Sequence, residues 1–133
     1  MKTNHILLID DNEIDNIINN HIIAKSKIAE IITTKYSAVE ALEYLELIKN
    51  DFDAFPDLIF LDISMPIMDG FGFLEEVIKF PKLIEKQCSV VMLSSSDDQN
   101  DIARAMNSEV VIDYFTKPLK IGMINDLIKR KSL

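Results

Sequence analysis

The sequence predicts an α/β protein in which a parallel β-sheet is covered by helices on both faces. Short apolar runs, typical of strands buried on both faces, alternate with segments that carry apolar residues at helical spacing. The 133 residues contain five such strand–helix units, and this order favours a parallel sheet. No linker or repeat interrupts the pattern, so we expect a single domain over residues 1–133.

Composition and charge narrow the function. A formal net charge of −8 argues against nucleic acid or an anionic membrane as the main partner, because phosphate groups attract Lys and Arg. The single cysteine, Cys88, cannot form an internal disulfide, which fits a reducing compartment. The first apolar run, Ile6–Ile9, is too short for a signal peptide or a membrane span. We therefore expect a cytoplasmic protein without membrane insertion.

The first half of the chain predicts two strand–helix units. Ile6–Ile9 is interpreted as the first strand, and Asn12 is a suitable cap for a helix that reaches about Ser26. The predicted buried face of this helix consists of Ile14, Ile17, Ile18 and Ile22. Residues 28–36 favour a second strand, and Ser37 can cap a second helix. The apolar face of that helix consists of Ala38, Ala41, Leu42, Leu45 and Ile48.

The second half predicts three more units. Leu58–Leu61 and Val90–Leu93 are apolar runs typical of buried strands, and residues 114–116 favour a brief fifth strand. A third helix follows Gly70 and ends before Pro81. A fourth helix begins after Asp97 or Asp98, and the fifth closes the chain. The apolar positions of the fifth helix are Ile121, Ile124, Leu127 and Ile128.

Polar side chains stand where the strands end. Asp10 follows the first strand, Asp62 the third, Ser94 the fourth and Lys117 the fifth. Because parallel strands end at the same edge of a sheet, we expect these side chains to converge there. Each residue alone is a weak signal, since Asp and Ser are common in turns. Their joint occurrence is a strong one.

Clustered carboxylates, a hydroxyl and an ammonium suit phosphoryl chemistry. Asp10, Asp11 and Asp62 would repel one another, and a divalent cation relieves that repulsion. Ligation by oxygen alone selects Mg²⁺ or a similar cation, and the absence of His or Cys ligands argues against zinc. An aspartate beside Mg²⁺ can attack a phosphoryl group and form an aspartyl phosphate. Lys117 and Ser94 could then stabilise the transferring group.

With these residues in place, the chain resembles a response-regulator receiver domain over essentially its whole length. The resemblance is carried by Asp10-Asp11, Asp62, Met65-Pro66, Asp69-Gly70, Ser94 and Lys117-Pro118. It implies a flavodoxin-like, doubly wound, five-stranded parallel sheet in the order 2-1-3-4-5, with five helices. One stretch departs from the family, because residues 107–113 lack the Gly-Ala pair that commonly precedes the last strand.

The resemblance also implies roles for the acids. Asp62 would be the phosphoacceptor, and Asp10 and Asp11 would bind Mg²⁺ beside it, Asp11 partly through water. The backbone carbonyl of Ser64 would complete the metal site. The main competing interpretation of Asp11 is a helix-start acid, which is a common role for Asp at this position.

The hydroxyl, the lysine and one aromatic residue are implied to form the switch. Ser94 would hydrogen-bond the phosphoryl group, although Ser95 is a close alternative because the spacing back from the lysine can differ by one residue. Lys117 would pair with the phosphoryl group. Tyr114, three residues earlier, matches the switch aromatic of the family, and a plain edge-strand residue is its alternative.

The implied function is His-to-Asp signal transduction. A sensor histidine kinase, a phosphotransfer protein or a small phosphodonor would phosphorylate Asp62. The surface of the fourth helix, fifth strand and fifth helix would then bind an unknown downstream protein. We expect a stand-alone receiver that is not an enzyme. Two alternatives remain: a phosphohydrolase with an aspartyl nucleophile, and a receiver-fold module that binds partners without phosphorylation. Phosphohydrolases resembling the haloacid dehalogenases carry Asp-x-Asp, whereas Asp10 and Asp11 are adjacent.

Overall fold

A computed structural model describes residues 3–95 and 97–131. In these residues, five parallel strands form one sheet in the order β2-β1-β3-β4-β5, which confirms the predicted fold class. The strands are β1 (Thr3–Ile9), β2 (Ala29–Lys35), β3 (Leu58–Asp62), β4 (Ser89–Ser94) and β5 (Val111–Thr116). The fifth strand begins at Val111 and is longer than the predicted 114–116. Its pairing with β4 is irregular between Val90 and Val91.

The described residues contain six helices, so the prediction of five was wrong. They are α1 (Glu13–Ser26), α2 (Ala38–Leu47), α3 (Gly70–Val77), α4 (Pro81–Glu85), α5 (Gln99–Met106) and α6 (Ile121–Lys131). The additional helix, α4, starts at Pro81, which was interpreted only as a residue just beyond the end of the third helix. Proline also suits the first position of a helix, because its fixed φ is helical and its missing N–H has no partner there anyway. No helix among these residues is long and apolar enough to cross a membrane.

Two apolar cores lie on opposite faces of the sheet. Alternate residues of each central strand point to opposite faces, so Leu7 and Ile9 contribute to one core while Ile6 and Leu8 contribute to the other. Helices α2 to α5 pack on the first face, and α1 and α6 pack on the second. The central strands are therefore buried on both sides, as their unbroken apolar runs predicted. Cys88 is buried in the first core, where burial raises the pKa of its thiol.

The predicted buried face of α1 was wrong. Three of its four isoleucines are exposed: Ile14 is 68% exposed, Ile17 64% and Ile18 45%. The buried residues of this helix are Asn16, Asn19 and Ile23. Asn16 faces inward because its Nδ2 donates a hydrogen bond to the main-chain oxygen of Asp10 at 2.7 Å, and Asn20 donates to Thr34 Oγ1 at 3.1 Å. Polar contacts with the strand ends thus orient α1, and Ile14, Ile17 and Ile18 face outward.

Side-chain caps fix the helix starts that lie at the carboxyl edge of the sheet. Asn12 accepts from the backbone N–H of Asp15 and caps α1, as predicted. Ser37 accepts from Glu40 and caps α2, also as predicted. Of the two aspartates proposed for the fourth predicted helix, Asp98 caps it, through Asn100. These caps hold the loops at the edge where the candidate site lies.

Candidate functional site

The strand register places the predicted polar residues together at the carboxyl edge of the sheet. Asp62 is the last residue of β3 and pairs with Leu93 of β4, and Ser94 pairs with Thr116 of β5. Lys117 follows Thr116 directly, and its backbone N–H donates to the carbonyl of Ser94 at 2.7 Å. The Lys117–Pro118 peptide bond is cis. The four strand ends therefore converge as the sequence predicted.

Three carboxylates form a compact group at this edge. One oxygen from each of Asp10, Asp11 and Asp62 lies within 4.8 Å of the others. Asp10 and Asp62 are buried, whereas Asp11 is exposed at the mouth. Asp10 Oδ1 is fixed by the backbone N–H of Asn12 at 3.0 Å. The group consequently presents several oxygens toward one small volume that is open on the Asp11 side.

Lys117 reaches into this group and contacts three acids. Its Nζ donates to Asp10 Oδ2 at 2.5 Å and to Asp15 Oδ2 at 3.0 Å, and it lies 3.3 Å from Asp62 Oδ1. Burial lowers the pKa of Lys117, but the hydrogen bonds that it donates to Asp10 and Asp15 and the charge of Asp62 outweigh this effect. The net shift is upward, so the ammonium stays charged at physiological pH.

Asp62 is held in an environment that disfavours its charge. Burial and, after it, the neighbouring charge of Asp10 raise the pKa of Asp62, and Lys117 partly opposes them; the net shift is from 3.8 to about 7. A carboxyl with a pKa near neutrality beside a second acid is a common mark of a functional site. Its ionised form, which is the nucleophilic one, requires further positive charge nearby.

The loop after β3 is packed tightly against Asp62. The backbone N–H of Gly70 donates to the carbonyl of Ile63 at 2.8 Å. A Cβ atom on Gly70 would lie only 2.6 Å from the main-chain oxygen of Asp62, so this position requires glycine. Ser64 is exposed directly beyond the strand, and the metal-binding role of its carbonyl stays a prediction. Ile67, in the same loop, has a positive φ of 72° and is fully exposed.

The switch residues lie on β4 and β5. Ser94 is buried at the end of β4, whereas Ser95 is exposed in the following loop. Ser94 directly follows Leu93, the residue of β4 that pairs with Asp62. Tyr114 lies on β5 and packs, half-buried, against the first core. Their switch roles stay predictions.

Two site residues were missed from the sequence. Asp15 binds Lys117, and Asn16 fixes the main chain of Asp10. Asp15 lies in the first turn of α1, whereas Asp11 precedes the cap Asn12, so helical spacing does not relate the two acids. Its partner Lys117 is 102 residues away, so no local pattern shows this contact. Nothing in the local sequence shows that Asn16 points inward.

The donor set fits a hard divalent cation. The described site combines four carboxylates with one ammonium: Asp10, Asp15 and Asp62 contact Lys117, and Asp11 lies with the clustered acids. Such an excess of negative charge favours binding a cation, and carboxylate oxygens are the ligands that Mg²⁺ prefers. The clustered group consists of Asp10, Asp11 and Asp62, so its donors are oxygens, and the choice of Mg²⁺ over zinc stays a prediction.

The sheet order and the acidic site at its carboxyl edge define a flavodoxin-like α/β protein with its site at the strand ends. A family model described as "Response regulator receiver domain" matches residues 6–129. The chain belongs to this family, and it is a phosphoacceptor receiver domain of two-component signal transduction.

Relatives and solved structures agree with this assignment. The chain is 30% identical over 129 residues to the two-component response regulator ORR8 of Oryza sativa subsp. indica, covering 97% of this chain and 98% of that protein. It is 34% identical over 125 residues to the sensor histidine kinase CheAY of Helicobacter pylori, covering 94% of this chain but only 14% of that protein. A two-component response regulator from Cytophaga hutchinsonii has a similar structure, with a TM-score of 0.87 and 31% identity over 98% of this chain and 97% of that chain.

Proposed function

We propose that Asp62 is the residue that accepts the phosphoryl group. The observation that carries this proposal is the position of its carboxyl, which lies in the compact acid group and 3.3 Å from the ammonium of Lys117. A nucleophilic carboxylate, a fixed cation and acids that can bind a metal are the parts that phosphoryl transfer to aspartate needs. Asp10 is buried more deeply than Asp62, and Lys117 and Asn12 already bind both its carboxylate oxygens. Asp62 is therefore the better nucleophile.

The chain's own groups account for the transfer. An oxygen of the Asp62 carboxylate forms a bond to phosphorus while the bond between phosphorus and the donor atom breaks. The donor atom is a phosphohistidine nitrogen or the acyl oxygen of a small phosphodonor, and it leaves with the donor. Lys117 neutralises negative charge on the phosphoryl oxygens from its position beside Asp62. Ser94 hydrogen-bonds one of these oxygens from the end of β4. The transfer modifies the chain itself, so it requires no enzymatic turnover.

Mg²⁺ is the proposed cofactor. Asp10, Asp11 and Asp62 would hold it, together with the backbone carbonyl of Ser64. When bound, it supplies positive charge to phosphoryl oxygens and favours the ionised form of Asp62. The close spacing of the three carboxylates and the raised pKa of Asp62 support this proposal.

The proposed switch runs from Ser94 to β5. Ser94 moves toward the phosphoryl group, Tyr114 turns into the space that it leaves, and the surface of α5, β5 and α6 changes its affinity for a downstream protein. These elements form a continuous surface next to the site. Lys117 directly follows β5, and Arg130 of α6 pairs with Asp113 of β5 at 2.5 Å.

The exposed isoleucines of α1 are the proposed contact for the phosphodonor protein, a sensor kinase or a phosphotransfer protein. Ile14, Ile17 and Ile18 lie in the first turns of the helix that starts just after Asp11. A protein that presents phosphohistidine to Asp62 must cover this mouth of the site. Apolar side chains exposed there would be buried by such a partner, which explains why they face outward.

Labelling with a small phosphodonor tests the acceptor directly. With acetyl phosphate and Mg²⁺, we expect the intact mass of the wild-type chain to increase by one phosphoryl group, and D62N to remain unlabelled. D69N is the matched control, because Asp69 lies on the same loop, caps α3 and stands outside the acid group, and asparagine is an equally good cap. Mg²⁺-dependent labelling of D62N at the wild-type level would disprove the assignment.

A further inference from the structure

Lys117 is anchored by an acid that does not belong to the clustered carboxylates. Its ammonium has three N–H donors and faces three carboxylates, at 2.5 Å for Asp10, 3.0 Å for Asp15 and 3.3 Å for Asp62. Asp10 and Asp62 are two of the three acids that converge on one small volume, and Asp15 is not. Asp15 is therefore the contact that remains to Lys117 when the other two carboxylates bind a cation or a phosphoryl group.

The backbone around Asp15 is well fixed. Its N–H donates to the capping side chain of Asn12 at 2.9 Å, which places it in the first turn of α1. The next residue, Asn16, ties this turn to the main chain of Asp10. One short segment thus supplies both the acid at the end of β1 and the acid that holds the lysine. Lys117 itself follows β5, more than 100 residues later, so this ion pair connects distant parts of the chain.

Lys117 needs a fixed partner, here the carboxylate of Asp15, to keep its ammonium at one position in the site. Its side chain has a flexible four-carbon stem and loses considerable conformational entropy when it is held in one position. Here the side chain of Lys117 is only 13% exposed and extends into the site. The charge-assisted hydrogen bond that Lys117 donates to Asp15, outside the acid group, keeps the ammonium beside Asp62 before the phosphodonor arrives.

We propose that Asp15 is a positioning residue for phosphoryl transfer: it holds the ammonium of Lys117 against α1, within reach of a phosphoryl group on Asp62. Asp15 acts through Lys117 and makes no contact with the reacting atoms. The inference rests on the proposed role of Asp62. Asp15→Ala removes both the charge and the hydrogen bond, whereas Asp15→Asn keeps an oxygen that accepts from the ammonium.

The rate of labelling by acetyl phosphate with Mg²⁺ tests the proposal. We expect D15A to lower the rate roughly tenfold and D15N to retain most of it, within about threefold, because one hydrogen bond to a charged group is worth about this much. E13Q is the control, since it removes an exposed charge from the same turn. In a K117A background, D15A should cause no further loss, because its effect passes through the lysine. Equal losses in D15A and E13Q, or a full loss in the K117A background, would overturn the proposal.

A second readout does not depend on phosphorylation. The ¹⁵N–¹H signal of the Lys117 ammonium is sharp only when hydrogen bonds hold the group and slow its exchange with water. At saturating Mg²⁺, when Asp10 and Asp62 would bind the cation, we expect this signal in wild type and D15N, and its loss in D15A. Persistence of the signal in D15A would contradict the positioning role. Labelling of D62N would instead refute the assignment of the acceptor, and the ammonium signal would still report whether Asp15 anchors Lys117.

Discussion

Replacing Asp62 by asparagine should stabilise the metal-free protein at alkaline pH. Burial and the charge of Asp10 raise the pKa of Asp62 from 3.8 to about 7. Each pKa unit corresponds to about 1.4 kcal/mol, so ionising this carboxyl in the fold costs up to about 4 kcal/mol. Asparagine has nearly the same shape and no charge. Lys117 keeps Asp10 and Asp15 as partners, so we expect D62N to raise the free energy of unfolding by about 2–4 kcal/mol at pH 8.

The sign of the pH dependence follows from the raised pKa. Between about pH 4 and pH 7 the folded protein retains a proton on Asp62 that the unfolded chain releases. The contribution of this proton to the free energy of unfolding is complete below the pKa of Asp62 in the unfolded chain. It is lost as the pH rises through the pKa of Asp62 in the folded protein. The free energy of unfolding of D62N should consequently exceed that of the wild type only slightly near pH 4, and the difference should reach its maximum above pH 7. Under the proposed metal binding, Mg²⁺ would bind the folded wild type through this carboxylate, so adding it should reduce the difference in the free energy of unfolding between D62N and wild type.

Urea unfolding followed by circular dichroism, in EDTA at pH 4.5, 6 and 8, measures this difference. Asp126→Asn is a suitable control, because Asp126 is an exposed carboxylate on α6 outside the acid group. Two results would refute this prediction. One is an increase in the free energy of unfolding of D62N at pH 8 that is no larger than that of D126N; the other is an equal increase for D62N at pH 4.5 and pH 8.

Three further predictions concern the start of α3 after the β3 loop, helix α6 and helix α1. Gly70→Ala should destabilise the fold by about 1–3 kcal/mol and slow labelling of Asp62, because its Cβ would press on the main chain of Asp62 and Ile63. Gly122→Ala, where a Cβ meets nothing within 4 Å, should instead stabilise α6 by about 0.5–1 kcal/mol; equal effects on urea unfolding would contradict this. Ile17→Glu should lower the rate of transfer from a phosphohistidine protein at least several-fold and leave labelling by acetyl phosphate unchanged. A loss with both donors would show that α1 affects the site itself.

The sheet was predictable because its central strands are buried on both faces. An unbroken apolar run such as Leu58–Leu61 has few other interpretations when turn residues bound it, and Asp62 then marks the strand end. Because parallel strands end at one edge, the convergence of Asp10, Ser94 and Lys117 on Asp62 followed from their order alone. That step needed only local patterns and one topological rule.

The features that were missed depend on tertiary contacts. Isoleucines at helical spacing normally mark a buried face, but Asn16 of α1 is turned inward by a hydrogen bond to the main chain at Asp10. The contact between Asp15 and Lys117 joins residues 102 positions apart, so no local pattern contains it. Pro81 is compatible with both the end of one helix and the start of another. Because the sequence pattern did not distinguish these two roles, the short helix α4 was not predicted.

The site of phosphorylation itself tests the central claim most directly. An aspartyl phosphate is an acyl phosphate, and borohydride reduces it to homoserine, which peptide mass spectrometry locates. After treatment with acetyl phosphate and Mg²⁺, we expect homoserine at position 62, and we expect EDTA to abolish it. Reduction at Asp10 or Asp11 with Asp62 intact would contradict the account.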